Sequence, residues 1–230
     1  MPVFWLPDNS FSFPNPELAN EDGILAIGGD LSPTRLLVAY EMGIFPWFNP
    51  EDPIIWWSPD PRFVLFPDEL KISKSMRPYF NKPRFQITAD QRFEQVMRNC
   101  QTARRKGQRG GTWITEEMIQ GYCQLHKRGF AHSVEIWENE KLVGGLYGIN
   151  LGKCFFGESM FTKVNNASKF GFISLVKKLQ ERDYVLIDCQ QPTNHLGRMG
   201  ARSIRRFEFL EILEKNRPTP RVAESWAEWF

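Results

Sequence analysis

Apolar and polar residues change rhythm along this 230-residue chain, and the changes mark its elements. The stretch TEEMIQGYCQLHKRG, from Thr115 to Gly129, reads as a helix: Thr115 caps it, acids fill its first turn, and Lys127 and Arg128 precede the terminating glycine. Asp90 to Arg98 gives a second helix and Arg84 to Thr88 a short strand before it. Three longer runs follow, His132 to Trp137, Lys141 to Ile149 and Lys153 to Glu158. The turn signals ENE and NLG join them into an antiparallel meander. A helix from about Ala167 to Arg182, the strand YVLID and a last helix near Phe207 to Glu214 complete the pattern.

The first sixty residues are patterned differently. They are rich in proline and aromatics and contain one clear helix, with Ser32 as N-cap, Pro33 in its first turn and Gly43 as its stop. In IIWWSPDPRFVLFP, Pro53, Pro59, Pro61 and Pro67 forbid a helix and interrupt strand ladders, which puts a domain boundary near residue 62. The expected fold is α+β, with a small domain over 1–62 and a larger one over 63–230. In the larger one the order strand, two helices, meander, helix, strand is, by analogy, that of acetyltransferase-like (GNAT-type) proteins: a mixed, mainly antiparallel sheet flanked by helices.

Composition narrows the class only slightly. With 42% hydrophobic and 24% charged residues the chain is ordinary globular protein, and a net charge of +2 does not by itself call for a nucleic-acid partner. Cys100, Cys123, Cys154 and Cys189 are scattered without C-x-x-C spacing, which reads as reduced thiols. His126, His132 and His195 show no metal-ligand spacing with them, so no zinc site is expected, and His195 reads as surface. No signal-peptide pattern and no run of 18 apolar residues is present, so a cytoplasmic protein without a membrane partner is expected.

Candidate chemistry collects in three places. A basic stretch of Arg77, Lys82, Arg84, Arg92, Arg98, Arg104, Arg105, Lys106 and Arg109 leads into Trp113, and Trp47 lies in FPWF, the combination that grips single-stranded nucleic-acid ends. A solvated basic loop and core tryptophans are the plainer readings, kept for Trp56 and Trp57. In FFGESMF, Glu158 sits among aromatics, where it must either pair with an arginine or serve a ligand. In LIDCQ, alternation sends Asp188 and Gln190 to one face of the strand and Cys189 to the other, into packing rather than nucleophilic chemistry. If strand 153–158 lies beside strand 184–188, Glu158 and Asp188 emerge at the same edge, two acids that suit a cationic substrate. Acetyl-coenzyme A is a weaker reading, because MFTKVNNASKFGF has no glycine before Gly171 to cradle a pyrophosphate.

The motifs GGDLSP at 28–33, GIFPWF at 43–48, WWSPDPR at 56–62, GTWIT at 111–115, GESMF at 157–161, NASK at 166–169 and LIDCQ at 186–190 resemble, in that order, the leucyl/phenylalanyl-tRNA protein transferases. The resemblance implies transfer of Leu or Phe from aminoacyl-tRNA to the N-terminal amine of a protein beginning with Arg or Lys, which marks it for degradation. It implies no cofactor and no metal, the aminoacyl-tRNA being a co-substrate. Carried over, Trp47 and Trp113 hold the terminal adenosine, Glu158 positions the basic N-terminus, and Asp188 and Gln190 serve the reaction. Leu146, Phe155, Met160, Leu175 and Ile187 wall the side-chain pocket. Leu146 and Leu175 replace the Met and Phe expected there, which opens the choice among Leu, Phe and Met. Direct attack of the amine on the activated ester needs no acyl-enzyme: Asp188 would polarise Gln190, Gln190 orient the amine, and Asp188 take the proton. A coenzyme A-dependent N-acetyltransferase and a non-catalytic RNA-binding module are the competing readings.

Overall fold

In the computed structural model, residues 3–81, 84–103, 113–217 and 221–230 are described. The N-terminal part forms a four-stranded sheet from β1 (Phe4–Leu6), β2 (Ile24–Gly28), β3 (Phe45–Pro46) and β4 (Ile55–Trp57), in the order β1-β2-β4-β3. Helix α1 (Pro33–Glu41) links β2 to β3. Its start is local: Ser32 Oγ accepts from the Arg35 N–H at 3.4 Å, and Pro33 occupies the first turn. It stops at Gly43, whose φ of +70° turns the chain where any side chain would strike Phe209.

The remaining strands are β5 (Arg62–Leu65), β6 (Gln86–Ala89), β7 (Ala131–Glu138), β8 (Lys141–Leu151), β9 (Cys154–Thr162), β10 (Leu186–Gln190) and β11 (Arg202–Ile204). They make one seven-stranded sheet, β11-β5-β10-β9-β8-β7-β6, antiparallel throughout except for β9 and β10. The helices between them are α2 (Arg77–Asn81), α3 (Phe93–Thr102), α4 (Glu116–Lys127), α5 (Ala167–Gln180), α6 (Asn194–Gly197) and α7 (Arg206–Asn216). Thr115 caps α4 by accepting from the Met118 N–H at 3.2 Å, and Asn139 and Glu140, both at positive φ, close the β7–β8 hairpin.

One buried cluster lies between one face of this sheet and the N-terminal layer with α3 and α4, joining Tyr40 and Trp56 to Phe156 and Leu186. A second lies on the other face, where α5 and the C-terminal Trp226 and Trp229 cover Leu146, Phe155 and Ile187.

The structure departs from the sequence reading where local signals are short. The first sixty residues carry four strands of two to five residues besides α1, and β5 and β11 extend the large sheet beyond the predicted elements. The predicted helix at Asp90 starts only at Phe93, because Asp90 is held at φ +58° to receive the Ser133 N–H and His132 Nδ1. The strand expected to end at Asp188 continues to Gln190, with a register shift between those two residues.

Candidate active site

Strands β9 and β10 pair only at Cys154–Phe156 with Leu186–Asp188; beyond that point they part. A cavity of about 570 Å³ occupies the gap. Its apolar wall includes Leu146, Phe155, Met160, Phe172 and Ile187, and its polar side includes Glu158, Asp188 and Gln190. Trp47, Trp113 and Phe45 also line it, Trp47 exposed and the other two buried. Nine of the ten residues singled out from sequence therefore converge here, although they come from five separate parts of the chain.

Leu175 is the exception and corrects the predicted wall. It is wholly buried in the cluster under α5 and does not line the cavity; Phe172, one turn earlier, does. His195 is a second correction. Read from sequence as surface, it sits on α6 at the cavity wall, half-buried, and burial together with Lys169 and Arg198 lowers its pKa.

DCQ is sorted to two faces, as its alternation predicts. Cys189 packs against the cluster on the α5 side but, against expectation, also lines the cavity; burial, with Asp188 nearby, holds its thiol far above the ordinary range, which keeps it protonated. Asp188 faces the N-terminal layer. Arg62 donates to it twice, Nε to Oδ1 at 2.8 Å and Nη2 to Oδ2 at 2.6 Å, and neither residue is exposed. The guanidinium lies over the rings of Phe45 and Phe209, 4.7 and 4.6 Å from their centroids. Asp188 Oδ1 also accepts the backbone N–H of Gln190 at 2.9 Å, which fixes that residue at φ +61°, an unusual conformation for a side chain other than glycine's. Asp188 thus holds Gln190 through its backbone, not through the carboxamide as expected.

The carboxamide belongs to Glu158. Gln190 Nε2 donates to Glu158 Oε1 at 2.7 Å, Tyr40 OH donates to the same oxygen at 2.7 Å, and Tyr122 OH donates to Oε2 at 3.3 Å. The two tyrosine hydroxyls also lie within hydrogen-bonding distance of each other, and with one hydrogen apiece they share two protons over these three contacts. The arginine partner weighed for Glu158 goes to Asp188 instead, and among the described residues Glu158 has no cation paired with it. Burial, followed by repulsion from Asp188, outweighs the three donors and pushes the Glu158 pKa up to about 7. A buried acid poised near neutrality results.

On the rim, Trp47 is 42% exposed and so offers a face, while Trp57 supports it with its ring 5.4 Å away and an Nε1 bond to the Trp47 carbonyl. Trp56 is core, its Nε1 bonded to the Gly28 carbonyl. Of the basic stretch, Lys82, Arg104, Arg105, Lys106 and Arg109 lie outside the described residues. Arg84 pairs with Glu138, and Arg98 with Glu94 and Glu116. Arg62, Tyr40, Tyr122 and Phe172 escaped the sequence reading. Only Arg62 left a trace there, as a lone cation directly before the apolar run FVLF. Among the described residues no cluster of three or more His, Cys, Asp or Glu could hold a metal, and no helix is long and apolar enough to cross a membrane.

A parallel strand pair splayed around an apolar cleft, with helices on both faces of a mainly antiparallel sheet, is the frame of acetyltransferase-like transferases. Residues 64–214 match the leucyl/phenylalanyl-tRNA protein transferase family and residues 29–60 its N-terminal domain. The chain belongs to that family and is an aminoacyltransferase. It is 57% identical over 202 residues to the leucyl/phenylalanyl-tRNA–protein transferase of Flavobacterium johnsoniae, covering 88% of this chain and 95% of that one. With the enzyme of the same name from Pseudomonas fluorescens it shares 53% over 221 residues, 95% and 97% of the two chains. The solved structure of L-PGS from Bacillus licheniformis is a distant likeness, with a TM-score of 0.40 at 12% identity over 75% of this chain and 54% of that one.

Proposed function

We propose that this protein transfers Leu or Phe, and Met if the pocket admits it, from an aminoacyl-tRNA to the N-terminal amine of a protein that begins with Arg or Lys, marking that protein for degradation. The observation that carries the reading is the join of an apolar cavity to the anchored carboxamide of Gln190 in the gap between β9 and β10. An aminoacyl side chain fills the apolar end. Its ester carbonyl then lies toward Gln190, and the terminal adenosine lies against exposed Trp47, with the buried Trp113 lining the cavity beside it.

The ester is already activated, so alignment and the movement of one proton suffice, without an acyl-enzyme or cofactor. Because Gln190 Nε2 is committed to Glu158, its Oε1 faces the incoming amine as an acceptor and aims the nitrogen lone pair at the carbonyl carbon. As the new amide bond forms and the ester C–O bond breaks, the proton lost by the amine is balanced by one gained at the departing ribose oxygen, directly or through solvent, and the tRNA leaves with a free hydroxyl. Asp188, closed off by Arg62, serves as an anchor for Gln190. Glu158, with no cation paired to it among the described residues and a pKa pushed up to about 7, gains negative charge as pH rises through neutrality, and that charge draws a basic N-terminus to the mouth.

The boundary near residue 62 belongs to this reading, the smaller unit 1–62 giving Trp47 to the adenosine and 63–230 giving the pocket. So does a cytoplasmic location, where aminoacyl-tRNA is made. The test mixes purified protein with labelled Leu-tRNA and a peptide beginning with Arg. Label on the peptide is the expected result. Its absence with Leu-, Phe- and Met-tRNA alike, or acetylation of the peptide from acetyl-coenzyme A, overturns the reading.

A further inference from the structure

Resting on the donor reading above, we propose that Gly157 is a substrate-binding position: the space left by its missing side chain receives the Cα and α-amino group of the donor aminoacyl ester.

The glycines of the large sheet carry the inference by contrast. Its strands hold four, Gly144, Gly145 and Gly148 in β8 and Gly157 in β9. Packing explains the three in β8. A Cβ would stand 3.0 Å from Ala167 Cβ at Gly144, 2.7 Å from the Phe161 ring at Gly145 and 2.1 Å from the Phe156 carbonyl oxygen at Gly148. Neither backbone conformation nor packing against the described residues requires glycine at 157. Its φ lies outside the left-handed region, and the nearest atoms a Cβ would meet are the Asp188 carbonyl oxygen at 3.6 Å and Phe155 Cε1 at 3.9 Å, both ordinary van der Waals contacts. The position nonetheless lines the cavity.

Its surroundings show what the space can hold. Gly157 is the first residue of β9 beyond the segment paired with β10, which ends at Phe156 and Asp188. Glu158 is the extra residue of a bulge, since Gly157 and Ser159 pair with the adjacent Gly148 and Tyr147. The bulge leaves the bare face of Gly157 beside Phe155, while the Glu158 carboxylate goes to Tyr40, Tyr122 and Gln190. A methyl group at 157 would touch the Phe155 ring on one side and the Asp188 carbonyl of β10 on the other. It would close the neck between the apolar wall and the polar side. In an α-aminoacyl ester the atom that joins side chain to ester carbonyl is Cα, which also carries the amino group. That link must cross the neck, and a bare backbone lets it pass.

The test is steady-state transfer, with Leu-tRNA varied against a fixed Arg-initiated peptide and then the reverse, beside thermal melting of each variant. Gly157→Ala is expected to melt no lower than the parent, because its backbone accepts a side chain, and to lose about tenfold or more in kcat/KM for Leu-tRNA. Gly157→Val should lose more. The KM for the peptide should stay within about twofold in Gly157→Ala, since the acceptor enters from the Glu158 side. Gly148→Ala is the packing control and should melt well below the parent. Parent-like kcat/KM for Leu-tRNA in Gly157→Ala overturns the proposal, as does a rise confined to the KM for the peptide, which makes the space an acceptor seat. Melting of Gly157→Ala as low as that of Gly148→Ala also overturns it, since the glycine then serves the fold. If the parent transfers neither Leu nor Phe, the donor reading itself has failed and the proposal falls with it, an outcome told apart by the parent's silence.

Discussion

Asp188 and Glu158 end up at one cavity from neighbouring strands, yet their surroundings make them opposites. Asp188 has an arginine on both oxygens, sealed between two phenylalanine rings. Glu158 has two tyrosines and an amide, all neutral, and its pKa is pushed up to about 7. A buried carboxylate with a bidentate cation has much of its charge offset at contact; one held only by neutral donors has no such counter-charge. The first corner suits scaffolding and the second suits chemistry, and Gln190 touches both, by its backbone and by its side chain.

The sharpest way to break this contrast is at Gln190. Gln190→Ala removes the acceptor for the amine without touching the Arg62–Asp188 pair, and turnover should fall about 10²- to 10⁴-fold while stability changes little. Single-turnover transfer from Leu-tRNA, beside urea denaturation, separates the two effects. Arg62→Ala should do the reverse and strip stability first, because it leaves the Asp188 carboxylate buried and unpaired. The expected loss is about 3–5 kcal/mol in urea denaturation.

The Glu158 corner makes a prediction of opposite sign. Its ordinary pKa is 4.5 and its folded value about 7, so below pH 4.5 it is protonated in both states. Between those values the unfolded chain gives up its proton while the folded chain keeps it, and stability therefore falls as pH rises through this window. Glu158→Gln should abolish that slope. The variant should match the parent at low pH and exceed it above pH 7 by an amount on the order of 3 kcal/mol. Its transfer to an Arg-initiated peptide should nonetheless drop, because the attracting charge is gone; equal stability of the two proteins at pH 8 would refute the buried-acid account. The smallest effect is expected at an exposed pair: Arg84→Ala breaks the bond to Glu138 at the surface and should leave the thermal midpoint where it was.

How much of this was legible beforehand follows the reach of each interaction. The caps at Ser32 and Thr115, the β7–β8 turn and the two faces of DCQ are settled by neighbours within a few residues. They could be read from the sequence alone. The short strands around the prolines could not, since two to five residues carry too little pattern to separate them from loop. Among the site residues, Glu158, Asp188 and Gln190 stood out because polar groups are conspicuous beside apolar strands. Phe172 was invisible, being one apolar residue among many on α5.

By itself, then, the sequence determined the order and ends of most elements, the family to which the chain belongs, and which polar groups would meet near one strand end. Only the tertiary structure decided their partners. Arg62 and Asp188 are 126 residues apart, and Tyr40 and Glu158 are 118 apart. Whether a buried acid is neutralised by a guanidinium or left with hydroxyls depends on which distant segment packs against it. Likewise, the choice of Phe172 over Leu175 as the cavity wall depends on where α5 packs across β7, β8 and β9. Periodicity gives a residue's direction along its own element; the level at which that element crosses another is set by packing of the whole sheet.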